Sequence, residues 1–116
     1  MELTSTEQLD DGKISKACFS GKMASSLDNS LFKKFFDENL ENEVNLFLLS
    51  FSGVNFVNSS ALGRIILDVK RVNEIGGKIA IYELQKDILE LFKITHLNKK
   101  VNIFSTEDEA LEYLRS

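Results

Sequence analysis

The run Val44-Asn45-Leu46-Phe47-Leu48-Leu49 constrains this chain more than any other segment, because it is almost wholly apolar and too short for a buried helix. A run of this kind fits a central β-strand covered on both faces. Beyond a polar, small-residue corner from Ser52 to Ser60, Leu62, Ile65, Ile66, Val69 and Val72 recur at the spacing of a helix with one inward stripe. A covered strand followed by an amphipathic helix is the repeating unit of a parallel sheet.

The unit recurs downstream. Gly76-Gly77 closes the helix, since glycine tolerates the left-handed cap, and Lys78 to Leu84 follows as a strand. Asp87 to Ile94 reads as a short helix with Ile88, Leu91 and Phe92 inward, and Val101 to Phe104 as a short last strand. Thr106-Glu107-Asp108-Glu109 has capping-box spacing ahead of Leu111 and Leu114, which predicts a final helix.

Upstream, Glu2 to Leu9 and Lys13 to Gly21 read as strands joined at Asp10-Asp11-Gly12, a turn that needs positive φ. The first strand is poor in apolar residues and belongs at a sheet edge. Ser25 or Ser26 caps a helix whose inward stripe is Leu27, Leu31, Phe35, Phe36 and Leu40. The predicted class is α/β: a mixed sheet of about five strands, begun by an antiparallel hairpin and otherwise largely parallel, with four helices. A single domain over residues 1–116 is expected for this length.

Composition removes several functions. Hydrophobic residues at 43% and charged residues at 28% describe globular material rather than a disordered segment. Fourteen Lys and Arg against eighteen Asp and Glu leave a net charge of −4, which disfavours nucleic acid as a partner. Cys18, the one cysteine, cannot form an internal disulfide and suits a reducing compartment. The single histidine, His96, has no second ligand at useful spacing, so neither a metal nor a cofactor is expected.

Met1-Glu2-Leu3-Thr4 lacks the basic start and apolar run of a signal peptide. No stretch approaches the ~18 apolar residues of a membrane span, so a cytoplasmic protein without a membrane partner is expected. No Ser/His/Asp set and no glycine-rich phosphate loop is visible. Glu107, Asp108 and Glu109 cluster where a helix start favours acids. The chain is therefore expected to act by binding and not as an enzyme.

The informative stretch is Val54-Asn55-Phe56-Val57-Asn58-Ser59-Ser60-Ala61-Leu62-Gly63, between the buried strand and the amphipathic helix. Hydroxyls there stand at a helix N-terminus, among free N–H groups that favour negative charge. A phosphate would add about −1.5 to −2 charge to a surface that could otherwise dock a partner. Taken alone, Asn58 to Ser60 also suit an ordinary helix cap.

The same stretch, from Phe51-Ser52-Gly53 through Gly63, resembles the signature of the STAS family, the domain of anti-sigma factor antagonists and of sulfate-transporter tails. The resemblance continues through Ile75-Gly76-Gly77-Lys78 and Ile79-Ala80-Ile81-Tyr82. Leu89 to Leu97, with His96 in the family's glycine place, is similar as well, as are Val101 to Phe104 and Glu109-Ala110-Leu111. It spans essentially the whole chain.

The resemblance implies a partner switch. The partner is an anti-sigma factor that is itself a serine kinase of the histidine-kinase-like ATPase fold. Capturing it releases a sigma factor for transcription. Phosphorylation of Ser59 ends the capture, and a phosphatase resets it. Carried over residue by residue, Asn58, Ser60, Ala61, Leu62, Gly63 and Arg64 form the contact surface, with Gly21 and Lys22 flanking it.

Three positions depart from the family pattern. Asn58 stands for an aspartate, Ala61 for a glycine, and Gly21-Lys22-Met23-Ala24 for a glycine-glutamate-leucine-aspartate loop, with Lys22 reversing a charge. They leave open a non-switching scaffold or adaptor of the same fold, as in a stressosome-like or lipid-transport assembly. A small-ligand-binding domain is the other alternative, and it would show a sizeable pocket with convergent polar groups.

Overall fold

The Asp10-Asp11-Gly12 turn takes positive φ at all three residues, 52°, 58° and 83°. A computed structural model describes residues 1–116, and this turn joins β1 (Glu2–Leu9) to β2 (Ile14–Met23) in an antiparallel pair. From there the chain alternates: α1 (Ser26–Glu41), β3 (Leu46–Val57), α2 (Ser59–Glu74), β4 (Lys78–Tyr82), α3 (Lys86–Ile94), β5 (Asn102–Phe104) and α4 (Glu107–Arg115). The five strands lie in the order β1-β2-β3-β4-β5, with every pair after the first parallel. Strand β1 is at the edge, and four helices cover the sheet, as the sequence pattern predicts.

The two faces differ. Helices α1, α2 and α3 bury Phe32, Phe35, Phe36, Ala61, Ile65, Val69, Val72, Ile88 and Phe92 against Ala17, Phe19, Phe47, Leu49, Phe51, Ile79 and Ile81. Helix α4 covers only part of the other face, packing Ala110 and Leu114 on Ile14, Leu48, Ala80 and Tyr82. The predicted strand starts at Leu46 rather than Val44, and it is covered on both sides because Phe47 and Leu49 point into the first core while Leu46 and Leu48 point into the second.

Aromatic contacts fix α1. Phe36 lies 4.7 Å from Phe47 by ring centroids, and Phe19 lies 5.4 Å from Phe32 and 5.7 Å from Phe51. Each such pair contributes about 0.5–1.5 kcal/mol beyond its buried area. The expected inward stripe is corrected here: Phe32 is 1% exposed and faces the core, whereas Leu27 is 80% exposed. Phe32 lies four residues before Phe36 and three before Phe35, which sets the phase of the stripe.

A second correction concerns the corner. Ser52 to Val57 is not a loop but the second half of β3. Two bulges let it follow β2: the register passes from Cys18↔Ser50 to Ser20↔Gly53, then from Gly21↔Val54 to Lys22↔Phe56. Gly53 permits the first crossing, because a Cβ there would lie 2.7 Å from the Ser20 Cβ. Strand β2 correspondingly runs on to Met23. At the other end of the sheet His96 has φ 62°, a left-handed geometry that suits the glycine of the resembled segment, ahead of a 3-10 turn at Leu97–Lys99.

Candidate functional site

The elongated β2 and β3 end side by side, and α1 and α2 both begin there. Asn58 is the hinge of this arrangement. Its backbone is extended (φ −85°, ψ 176°), and its Oδ1 accepts from the Ala61 N–H at 2.8 Å, capping α2. Its Nδ2 donates to the Ala24 carbonyl at 2.8 Å, and its own N–H donates to the Met23 carbonyl at 3.1 Å. One asparagine thus ties the start of α2 to the end of β2.

Helix α1 is capped beside it. The Ser25 hydroxyl accepts from the Asp28 N–H at 3.1 Å, and Asp28 Oδ2 accepts from the N–H groups of Ala24 and Ser25 at 2.9 and 3.0 Å. The Ala24 N–H and the Met1 amino group, 2.7 Å away, hold the Asp28 carboxyl well below the usual carboxylate range. Asn29, one residue on, donates through Nδ2 to the Ser60 hydroxyl at 3.0 Å, closing the gap between the helix starts.

Ser59 is exposed in the first turn of α2, and Ser60 is exposed but engaged by Asn29. Strand pairing brings Gly21 and Lys22 to the same corner, with Lys22 exposed opposite Phe56. Gly21 has φ 84°, a conformation that needs no side chain. Leu62 is half-buried against the core, and Gly63 is half-exposed with nothing within 4 Å of where a Cβ would stand.

Two expected contact residues are placed elsewhere. Ala61 is 0% exposed, so its methyl packs in the core and offers nothing to a partner; its φ is not positive, which lets alanine replace glycine here without strain. Arg64 turns along the flank of α2, where its Nε and Nη2 lie 3.0 and 2.9 Å from the Asp68 carboxylate. Asp68 is itself fully buried, with Arg71 Nη2 at 3.0 Å, and Arg71 Nη1 reaches Asp37 of α1 at 2.6 Å. Burial pushes the Asp68 carboxyl up, with Arg64 opposing. The signal for this cluster was present in the sequence as an acid flanked by arginines at i−4 and i+3.

No group of three His, Cys, Asp or Glu stands in metal-binding geometry. The largest hollow, about 580 Å³, lies at the β4–β5 end of the sheet between Leu84, Leu89 and Phe104 and includes no residue of the Ser59 corner. No helix is long and apolar enough to cross a membrane. What the corner presents is an exposed serine on a rigidly capped helix start, beside the ends of two strands.

The family model of the STAS domain matches residues 19–110, a span that holds the paired ends of β2 and β3 and all of α2. The chain belongs to the STAS domain family. A Thermotoga neapolitana protein assigned to the anti-sigma factor antagonists is 39% identical over 83 residues, covering 71% of this chain and 74% of the relative. The crystal structure of a Thermotoga maritima protein assigned to the same group has a TM-score of 0.84 at 28% identity, covering 97% of this chain and 94% of that one. The Bacillus cell fate determinant SpoIIAA in its phosphorylated form has a TM-score of 0.74 at 14% identity, covering 96% and 98%, and shares the fold. As a STAS domain, the chain has the expected mixed sheet and four helices, with its serine corner at the C-terminal ends of parallel strands.

Proposed function

We propose that this STAS domain is an anti-sigma factor antagonist that works as the phosphorylation-controlled arm of a partner switch. Unphosphorylated, it captures an anti-sigma factor that is a serine kinase of the histidine-kinase-like ATPase fold, and so frees a sigma factor. Transfer of phosphate to Ser59 ends the capture, and a phosphatase restores it. The observation that carries this reading is the exposure of Ser59 in the first turn of α2, on a helix start fixed from both sides by Asn58 and Asn29.

The physics supports the reading in two ways. Free amide groups of the first helical turn tolerate a phosphate, so the modified chain keeps its fold. The same dianion, placed in a contact that excludes water, is costly unless it is paired. Asn58, Ser60, Leu62 and Gly63 supply the surface around Ser59, with Gly21 and Lys22 beside them, all within one face built by β2, β3 and α2.

Lys22 favours a second reading. Exposed at the corner where the family pattern has an acid, it suits a partner face of opposite charge, as in an adaptor that never meets a kinase. Affinity capture from native cell extract with wild type and Ser59→Asp as baits separates the two. A small ATPase-type kinase retained by wild type alone supports the switch. Identical sets of non-kinase proteins on both baits would overturn it in favour of the adaptor.

A further inference from the structure

We propose that Asp68 is a positioning residue for this switch: by holding Arg64 against the flank of α2, it keeps that guanidinium away from a phosphate on Ser59. The proposal rests on the reading of Ser59 as phosphoacceptor.

Asp68 is four residues on from Arg64 and shares its face of α2, whereas Ser59, five residues before Arg64, lies in the first turn of the same helix. Side chains in a helix lean toward its N-terminus, so a free arginine at this position would spread over the first turn. That is where the phosphate would be. Instead the guanidinium points the other way and makes a two-point contact with a carboxylate that is 0% exposed, at 2.9 and 3.0 Å. Two nitrogens of Arg71, Nε and Nη2, are buried beside this pair without a well-aligned acceptor, although Nη2 is 3.0 Å from Asp68 Oδ1. Asp37 takes Arg71 Nη1 and the Lys33 ammonium, so the signs alternate from Arg64 through Asp68, Arg71 and Asp37 to Lys33.

The competition for Arg64 is unequal. Leaving Asp68 would strip a buried carboxylate of its two-point partner, a strongly unfavourable change. Joining a phosphate on the exposed first turn would form a water-screened pair of small worth. Arg64 therefore stays on Asp68 after phosphorylation and does not offset the charge that the phosphate presents to the partner. Without the buried aspartate, Arg64 would be free to offset part of the phosphate's charge and so weaken the switch.

The test reads the chain alone, so it can fail while capture by the Ser59→Asp bait still succeeds, and the reverse. Phosphoserine is installed at position 59 and the second ionisation of the phosphate is followed by ³¹P NMR against pH. Arg64→Gln is expected to titrate with the unsubstituted phosphoprotein. Asp68→Asn is expected to titrate about half a pH unit lower, roughly a threefold change in acidity constant, as the released arginine reaches the dianion. Arg64→Gln added to Asp68→Asn is expected to return the curve to its starting place, which a merely structural role of Asp68 would not do.

A raised phosphate pKa in Arg64→Gln alone would overturn the proposal, since Arg64 would then already be on the phosphate. An unchanged curve in folded Asp68→Asn would overturn it as well. The Arg64 Nε–H resonance offers a measurement that needs no change at Asp68. It is expected to keep its position when phosphoserine replaces Ser59, and a large shift would refute the proposal.

Discussion

Asn58 and Ala24 are joined by a 2.8 Å hydrogen bond from the asparagine amide to the alanine carbonyl, across the gap between the start of α2 and the end of β2. Only an amide can make both this donation and the cap to the Ala61 N–H. The asparagine that replaces the family's aspartate therefore loses a charge at a helix start and gains a link to the neighbouring strand. Asn58→Asp is expected to keep the cap, lose the donor and set a carboxylate against a carbonyl. A net loss of about 1 kcal/mol should follow, read as a lower urea midpoint. Unchanged or higher stability would show that the added charge at the helix start outweighs the lost bond.

Gly63 separates stability from binding. A Cβ at this position meets nothing within 4 Å, and the backbone is not in the left-handed region. Gly63→Ala should therefore stabilise α2 by about 0.5–1 kcal/mol while weakening capture of the partner, because the added methyl occupies the surface beside Ser59. Thermal unfolding and bait capture on the same preparation check both halves. A stabilised variant with full capture would remove Gly63 from the contact surface.

Phe32 and Leu27 exchange the roles that spacing alone suggests. Phe32→Ala should cost about 3–5 kcal/mol, because the ring is 1% exposed and packs on Phe19 and Phe36. Leu27→Ala, at a residue 80% exposed, should stay within about 0.5 kcal/mol of wild type. Chemical denaturation of the two variants side by side decides whether the stripe has the phase seen here.

Acid should destabilise the chain through Asp28 and Asp37. Both carboxyls are held below their ordinary value of 3.8, Asp28 first by the Ala24 N–H and Asp37 first by Lys33. A lowered folded pKa gives stability that is present above 3.8 and lost as pH falls toward the folded value. Asp68 acts with opposite sign: its carboxyl is raised by burial, so its contribution declines as pH rises from 3.8 through the raised value. Asp28→Asn should thus be less stable than wild type near neutral pH, by a gap that starts to narrow below 3.8 and closes only as pH falls through the depressed folded value. A gap that does not narrow below 3.8 would contradict the assignment.

Much of this architecture is legible along the chain. The Asp10-Asp11-Gly12 turn, the Ser25 cap, the Thr106 cap and the inward stripe of α2 are local, and each follows from backbone preference or from period. Ser52 to Val57 is misread as a corner because its residues are small and polar. Pairing with β2 turns it into strand, since ladder hydrogen bonds to a neighbour outweigh the weak preference of serine and glycine. Asp68 is missed for a related reason, as an acid on an inward helix face makes sense only once both arginines are seen to close on it.

The sequence by itself determined the order of elements, the family and the serine that the fold brings to the end of the sheet. Those follow from periodicity, caps and a contiguous signature, all of which act over a few residues. The tertiary structure alone decided which signature residues face outward, which way Arg64 turns, and how Asn58 and Asn29 lock the corner. Each of those depends on groups distant in sequence, Ala24 for Asn58 and Ser60 for Asn29, or on whether water is excluded around Asp68. Hydrogen-bond direction and burial are properties of packed neighbours, and a one-dimensional pattern does not carry them.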